Sequence, residues 1–363
     1  MPFNGYNLKQ ARLMNDFTLE YVASLVDKTR QYISKLESGR ARPSAELETE
    51  LSRVLSVKPE FFNKPISFEV NEDIFHFRKK ASTKVSVKKA FYAQSALLRN
   101  LIDLIEEYIE LPECDFPDYG QDSLSLYDVE LAAEKLRRDW GLGISPISNI
   151  TKLVETKGAV ITFFKNIDDS VDALSVSDRR PIVIRNTAKT SACRLRFDVA
   201  HELGHWVLHE GVVTGDRVTE KQANHFASAF LMPRSMFIKV FPISRRTGRI
   251  SWSDLSALKY KIGVSKAAML YRARSLDLLD DYKYKGAVIQ MKNQGERQSE
   301  EEDAFIEPER PVVLERSLAM LMEHEGLAAD DIADKLRIDT SLLTKILPFE
   351  IGTFKKLPKL RLV

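Results

Sequence analysis

Along most of the chain apolar residues recur at helical spacing, and the period shortens only in a central stretch. Residues 7 to 65 read as closely spaced short helices, closed by Phe61-Phe62-Asn63-Lys64-Pro65. The next part, 66 to 122, opens with Phe75-His76-Phe77-Arg78-Lys79-Lys80 and continues through Lys84, Lys88 and Lys89. A long amphipathic helix follows from Ala90 to Glu110, its apolar side lined by residues such as Leu97, Leu101 and Ile105, and Leu111-Pro112 stops it. From Ser123 the pattern gives a helix over Tyr127 to Trp140. Strand-like runs come next at Ala159 to Phe164 and Pro181 to Ile184, and then more helices, an α+β order. The polar run from Lys292 to Asp303 reads as a mobile loop or linker, and a small helical region fills 311 to 363. The expected fold class is therefore multidomain. It comprises an all-α unit over 1–65, a basic segment and linker helix over 66–122, an α+β domain over 123–290, a polar linker over 291–310 and helices over 311–363.

The 363 residues suffice for two to three domains at about 150 residues each. Lys and Arg number 54 against 52 for Asp and Glu, so a nucleic-acid surface has to come from local clustering and not from a global field. Cys114 and Cys193 make no CxxC and read as ordinary buried thiols of a reducing compartment. The start of the chain lacks a signal-peptide layout and no stretch reaches 18 apolar residues, from which a cytoplasmic location with no membrane partner is expected.

In the first unit, Thr18 can cap a helix with Leu19, Val22, Ala23 and Val26 on one face, and Thr29 can cap a second with Ile33 and Leu36 inward. That leaves Arg30, Gln31, Ser34 and Lys35 pointing out, side chains that reach base edges and phosphates from a major-groove helix. The segment resembles the Xre/Cro/C1 repressor family through Leu19 to Ala23, Gln31 to Gly39 and Arg42-Pro43-Ser44. The resemblance implies a helix-turn-helix reader of double-stranded DNA, with Arg30, Gln31, Ser34 and Lys35 facing it and Arg40 or Arg42 near a phosphate. It departs in the turn, where a Gly is common and this chain has Val26-Asp27-Lys28.

His201-Glu202-Leu203-Gly204-His205 is an HExxH within an apolar-periodic helix. Positions four apart share a helical face, so both imidazoles can address one zinc ion, and Glu202 is placed to take a proton from water activated there. Glu220, fifteen residues after His205, opens a second helix and is the chosen third ligand, with Asn224 one turn along on the same face to bond a ligand. His209 and His225 compete for that role. Successive four-residue steps rotate about 40°, so His209 diverges from a single centre and reads as an outer partner or an exposed residue, and His225 as a surface histidine. Two imidazoles and a carboxylate also suit manganese or iron.

Arg196 to His205, Glu220 to Ala227 and Leu231-Met232-Pro233 closely resemble the ImmA/IrrE metallopeptidases, a group often fused behind an Xre-type helix-turn-helix. The resemblance implies a zincin-like, small gluzincin-type peptidase domain. Gln222 stands where many relatives carry Glu, which leaves the ligand role with Glu220. It further implies an edge strand beside the metal cleft, mapped to Val171 to Val176, to which an extended substrate can add. Tyr260, Tyr271 and His209 are candidate oxyanion donors with nothing to choose between them. The tail, Gly326 to Leu336 and Asp339 to Ile346, resembles the start of another helix-turn-helix, but its second helix is poor in Arg and Gln and points to docking or packing.

Together these features predict a DNA-binding regulator, dimeric on paired half-sites, whose zinc endopeptidase domain cleaves a partner protein such as a repressor to release stress or mobile-element genes. The alternative is a non-catalytic transcription factor or toxin-antitoxin component that uses the peptidase fold as a sensor or docking surface.

Overall fold

The computed structural model describes residues 2–63, 75–79, 85–120, 123–164, 171–176, 179–186, 191–212, 214–244, 247–296 and 299–350. Lys80, Lys84 and all of 64–74 in and around the expected basic segment lie outside the described residues.

The N-terminal unit holds α1 (Gly5–Met14), α2 (Leu19–Leu25), α3 (Arg30–Glu37) and α4 (Ala45–Val54), then a 3-10 turn at Pro59–Asn63. Thr18, Thr29 and Ser44 cap α2, α3 and α4, each side chain accepting a backbone N–H three residues on. Leu8, Val22, Ile33, Leu36 and Leu51 are fully buried and hold the helices at fixed angles. The α2–α3 turn needs a left-handed residue, and Asp27 supplies it at φ +48°, a conformation Asp tolerates better than most side chains. This explains how the turn closes without glycine.

The long helix α5 spans Val85–Glu106, earlier than the expected Ala90–Glu110. It is not a free spacer. Its apolar side joins the N-terminal core, with Leu98, Leu101 and Ile102 fully buried.

The α+β domain contributes α6 (Leu126–Asp139) and α7 (Ile150–Thr156), and its sheet contains β2 (Val160–Phe164), β3 (Val171–Val176) and β4 (Ile182–Asn186). The strand β1 (Phe75–Lys79) comes from the segment before α5. The sheet order is β1-β3-β4-β2, with β2 parallel to β4 and β3 antiparallel to both its neighbours. Here the expectation for Val171–Val176 is corrected: β3 is not an edge, because β1 pairs along it from Phe75↔Val176 to Lys79↔Val171. Non-local pairing of this kind leaves no mark in local periodicity.

Alternation along the strands sends side chains to two cores. Val160, Phe164, Ile182 and Ile184 join the core shared with α5, whereas Ile161 and Val183 join the helices on the other side. That second core is built by α8 (Ala192–Leu208), α9 (Arg217–Leu231), α10 (Arg234–Val240), α11 (Trp252–Ile262), α12 (Lys266–Ser275) and α13 (Asp281–Asn293).

The polar segment over 291–310 also departs from expectation. It begins inside α13 and continues through a 3-10 turn at Glu301–Phe305 that packs on the domain. Lys259, wholly buried, bonds Glu300 at 2.7 Å and Asp303 at 2.6 Å, and buried Lys266 bonds Glu296 and Glu302. Carboxylates that read as a solvated run are held by two lysines thirty or more residues upstream.

The C-terminal helices α14 (Val313–His324), α15 (Ala329–Leu336) and α16 (Thr340–Ile346) return to the N-terminal unit. Lys58 N–H donates to the carbonyl of Arg337, Asp339 N–H donates to that of Ser56, and Val57 pairs with Ile338. The region therefore packs against the reader, in line with its weakly basic second helix.

Two carboxylates are exchanged where α14 meets α7. Glu309 accepts from the N–H groups of Ile150 and Thr151 at the start of α7, and Glu155 accepts from those of Val312 and Val313 at the start of α14. Each satisfies donors that a helix cannot satisfy itself. Burial pushes the Glu155 carboxyl up to about 7, above its ordinary 4.5, against the lowering by those N–H bonds. Since the folded value lies above the unfolded one, the stability it contributes is complete below about pH 4.5 and is lost as pH rises through about 7. Urea unfolding at pH 5 and pH 8 should show a decline in stability that Glu155→Gln reduces; an identical decline in the variant would contradict this assignment.

Candidate metal centre and nucleic-acid interface

The helices α8 and α9 pack closely because Gly204 sits between them. A Cβ at that position would lie 3.1 Å from the Phe226 ring and 3.3 Å from the Ala223 Cα. This contact brings His201 and His205 of α8 against Glu220 of α9. The two Nε2 atoms are 3.1 Å apart, and the Glu220 oxygens stand 3.5 Å from His201 Nε2 and 3.4 Å from His205 Nε2. Ligands about 2.0 to 2.1 Å from a tetrahedral ion would be about 3.3 Å from one another, so the set fits one divalent cation. Both histidines are buried and Glu220 is 31% exposed, which leaves one side toward solvent. Among the described residues no other group of His, Cys, Asp and Glu converges in this way.

The donor chemistry agrees. Asn224 donates through Nδ2 to the Glu220 carbonyl at 2.8 Å, which turns its Oδ1 to His201 Nδ1 at 3.1 Å. An amide oxygen only accepts, so His201 carries its proton on Nδ1 and presents the bare Nε2 to the centre. Glu202 follows His201 on α8 and is buried.

His209 lies behind His205, their Nδ1 atoms 3.0 Å apart, and its Nε2 meets Gln222 Oε1 at 2.9 Å. It is neither a ligand nor exposed. Burial lowers its pKa, against a raising by the Gln222 bond. Gln222 was not singled out for this role by its sequence position, since nothing in the spacing shows that it meets His209. Of the oxyanion candidates, Tyr260 is half exposed and both ring nitrogens of His209 are engaged.

His225 is a correction: it is buried, not a surface residue. Its Nε2 lies 3.2 Å from Glu130 Oε2 on α6, and Glu130 holds both terminal nitrogens of the Arg272 guanidinium on α12. Burial would push Glu130 up, yet its bonds to Arg272 and His225 outweigh that and hold it at about 2. This triad ties α9 to α6 and α12. Of the two thiols, Cys193 is buried and Cys114 is exposed, which corrects the second.

In the N-terminal unit, Arg30, Gln31, Ser34 and Lys35 lie on one exposed face of α3, with Arg40 and Arg42 exposed in the loop beyond it. Arg30 is paired with Glu20 of α2 at 2.6 Å, an exposed bond that competes weakly with any phosphate.

Residues 154–274 match the peptidase M78 family, described as an IrrE N-terminal-like domain, and residues 8–62 match a helix-turn-helix family. The chain joins a helix-turn-helix domain to an IrrE N-terminal-like peptidase domain. No curated protein matches the chain. The IrrE-like match runs from within α7 to within α12 and so contains β2, β3, β4 and the whole cluster of His201, His205 and Glu220. β1 lies outside both matched stretches. The domain order shows a DNA-binding module attached to a metallopeptidase-family module, and among the described residues no helix is long and apolar enough to cross a membrane.

Because Glu130 is the charge partner of the buried Arg272 guanidinium and also meets the His225 ring, Glu130→Ala should cost the domain about 3 to 5 kcal/mol. Urea unfolding of the full chain measures it, and a loss under about 1 kcal/mol would rule out the triad as an anchor.

Proposed function

We propose that the protein is a transcriptional regulator that binds DNA through its N-terminal domain and hydrolyses a peptide bond in a partner protein, a repressor, at a zinc site held by His201, His205 and Glu220. The observation that carries this reading is the convergence of two imidazole nitrogens and a carboxylate at separations of 3.1 to 3.5 Å beside a buried glutamate. Zinc bound there supplies Lewis acidity toward a carbonyl oxygen and a water molecule. Glu202 acts as the general base, takes the proton of the attacking water and returns it to the departing amine. Asn224 keeps His201 oriented through its Nδ1–H. On the DNA side, Gln31, Ser34 and Lys35 of α3 read base edges in the major groove while Arg30, Arg40 and Arg42 contact phosphates.

Elemental mass spectrometry should find near one zinc per chain in wild type and little in Glu220→Ala. Glu202→Gln should keep its zinc and lose cleavage of the partner repressor. No metal in wild type after zinc reconstitution would reject the peptidase reading in favour of a non-catalytic DNA-binding sensor. Duplex binding should weaken steeply with salt. Gln31→Ala should relax sequence preference by about 1 to 3 kcal/mol at one position, while Arg42→Ala weakens all duplexes alike. Unchanged DNA affinity in both variants would remove α3 from the interface.

A further inference from the structure

We propose that His209 and Gln222 are positioning residues that hold His205 with its Nε2 lone pair toward the metal. They act through a relay of hydrogen bonds whose direction is fixed at the backbone carbonyl of Leu124. The inference rests on reading His201, His205 and Glu220 as the metal ligands, and adds residues that touch neither metal nor substrate.

The direction follows one bond at a time. Gln222 Nε2 lies 2.8 Å from the Leu124 carbonyl oxygen. A carbonyl only accepts, so the amide nitrogen faces it and Oε1 is left to accept from the other side. At 2.9 Å from that oxygen, His209 Nε2 must carry a proton. A neutral ring then has a bare Nδ1, which faces His205 Nδ1 at 3.0 Å. Two bare nitrogens would repel at that distance, so His205 carries its proton on Nδ1 and donates. Its Nε2 is the lone pair left over, and it points at His201 Nε2 and Glu220.

His201 reaches the same state by the shorter route through Asn224. Both ligand tautomers are therefore set by side-chain amides of α9, at 222 and 224, on the helix that also carries Glu220. His209 and Gln222 are buried, so water does not compete for these bonds as it would on the surface.

The test uses the full-length chain. Only six histidines occur, so long-range proton–nitrogen correlation spectra of histidine-labelled metal-free protein can assign each tautomer. Wild type should show His205 protonated on Nδ1. In competition with a chelator of known zinc affinity, His209→Leu should bind zinc about 10- to 100-fold more weakly. His209→Asn, whose Oδ1 stands near the former Nδ1 and can accept, should recover most of the loss. Gln222→Leu, which leaves His209 in place and frees its tautomer, should give a mixture of tautomers at His205, and it serves where Leu at 209 does not fold. Three results overturn the proposal: His205 protonated on Nε2 in wild type, His209→Leu binding zinc as wild type does, or His209→Asn as weak as His209→Leu in a chain of unchanged thermal stability. A wild type that binds no zinc defeats the metal-centre reading alone, because the metal-free spectrum still decides the relay.

Discussion

Two buried imidazole nitrogens 3.1 Å apart, faced by a carboxylate at 3.4 and 3.5 Å, gather electron-rich atoms in a protein interior, an arrangement that a cation among them would relieve. The surrounding structure serves to hold that arrangement. The close approach of α8 and α9 is eased by the absence of a Cβ at 204, where one would stand 3.1 to 3.3 Å from Phe226 and Ala223. The register of α9 must place Glu220 toward the ion while Asn224 meets His201, and the triad of Glu130, Arg272 and His225 fixes α9 from behind. Buried ion pairs of this kind add little net stability compared with apolar packing, but removing one partner strands the others, so they hold a geometry more than they deepen a well.

The sheet serves both halves of the molecule. One face belongs to the core of the reader and α5, the other to the core around α8 and α9, and the chain's last helices close back onto the first. Glu155 and Glu309 exchange between α7 and the start of α14, and Arg196, five residues before His201 on α8, bonds Glu309. A continuous set of charged contacts thus runs from α8 to the region that grips Ser56 and Lys58 in the reader.

The features legible in the sequence were those encoded within a few residues. The caps Thr18 and Thr29, the inward Ile33 and Leu36, the spacing of His201 to His205 and the face shared by Glu220 and Asn224 all follow from helical period and side-chain chemistry. What escaped depends on distant partners. Pairing of β1 with β3 joins segments about a hundred residues apart, and no local signal distinguishes a strand that will be paired on both sides from an edge. The acidic stretch around Glu300 looks solvated until Lys259 and Lys266 are found beneath it, and His225 looks like a surface residue until Glu130 is placed beside it. In each case a polar side chain is buried because its partner comes from another element, a fact that composition averages away.

The site differs from the rest of the fold in how its polarity is used. Elsewhere a buried polar group can complete its bonds within the protein, as where Arg137 donates to the carbonyls of Gly143, Ser145 and Phe230. At the centre the hydrogen bonds orient rings: Asn224 acts on His201 and Gln222 acts through His209 on His205, and both turn an Nε2 toward Glu220. Burial raises the cost of gathering such electron-rich atoms, and a cation bound among them would offset it. The reader shows the opposite economy, with its polar face on α3 left in water, where binding costs little desolvation and affinity comes from charge and fit. One chain thus holds a buried cluster of two histidines and a glutamate and an exposed polar helix face, and the sheet and the returning C-terminal helices keep the two in one structure.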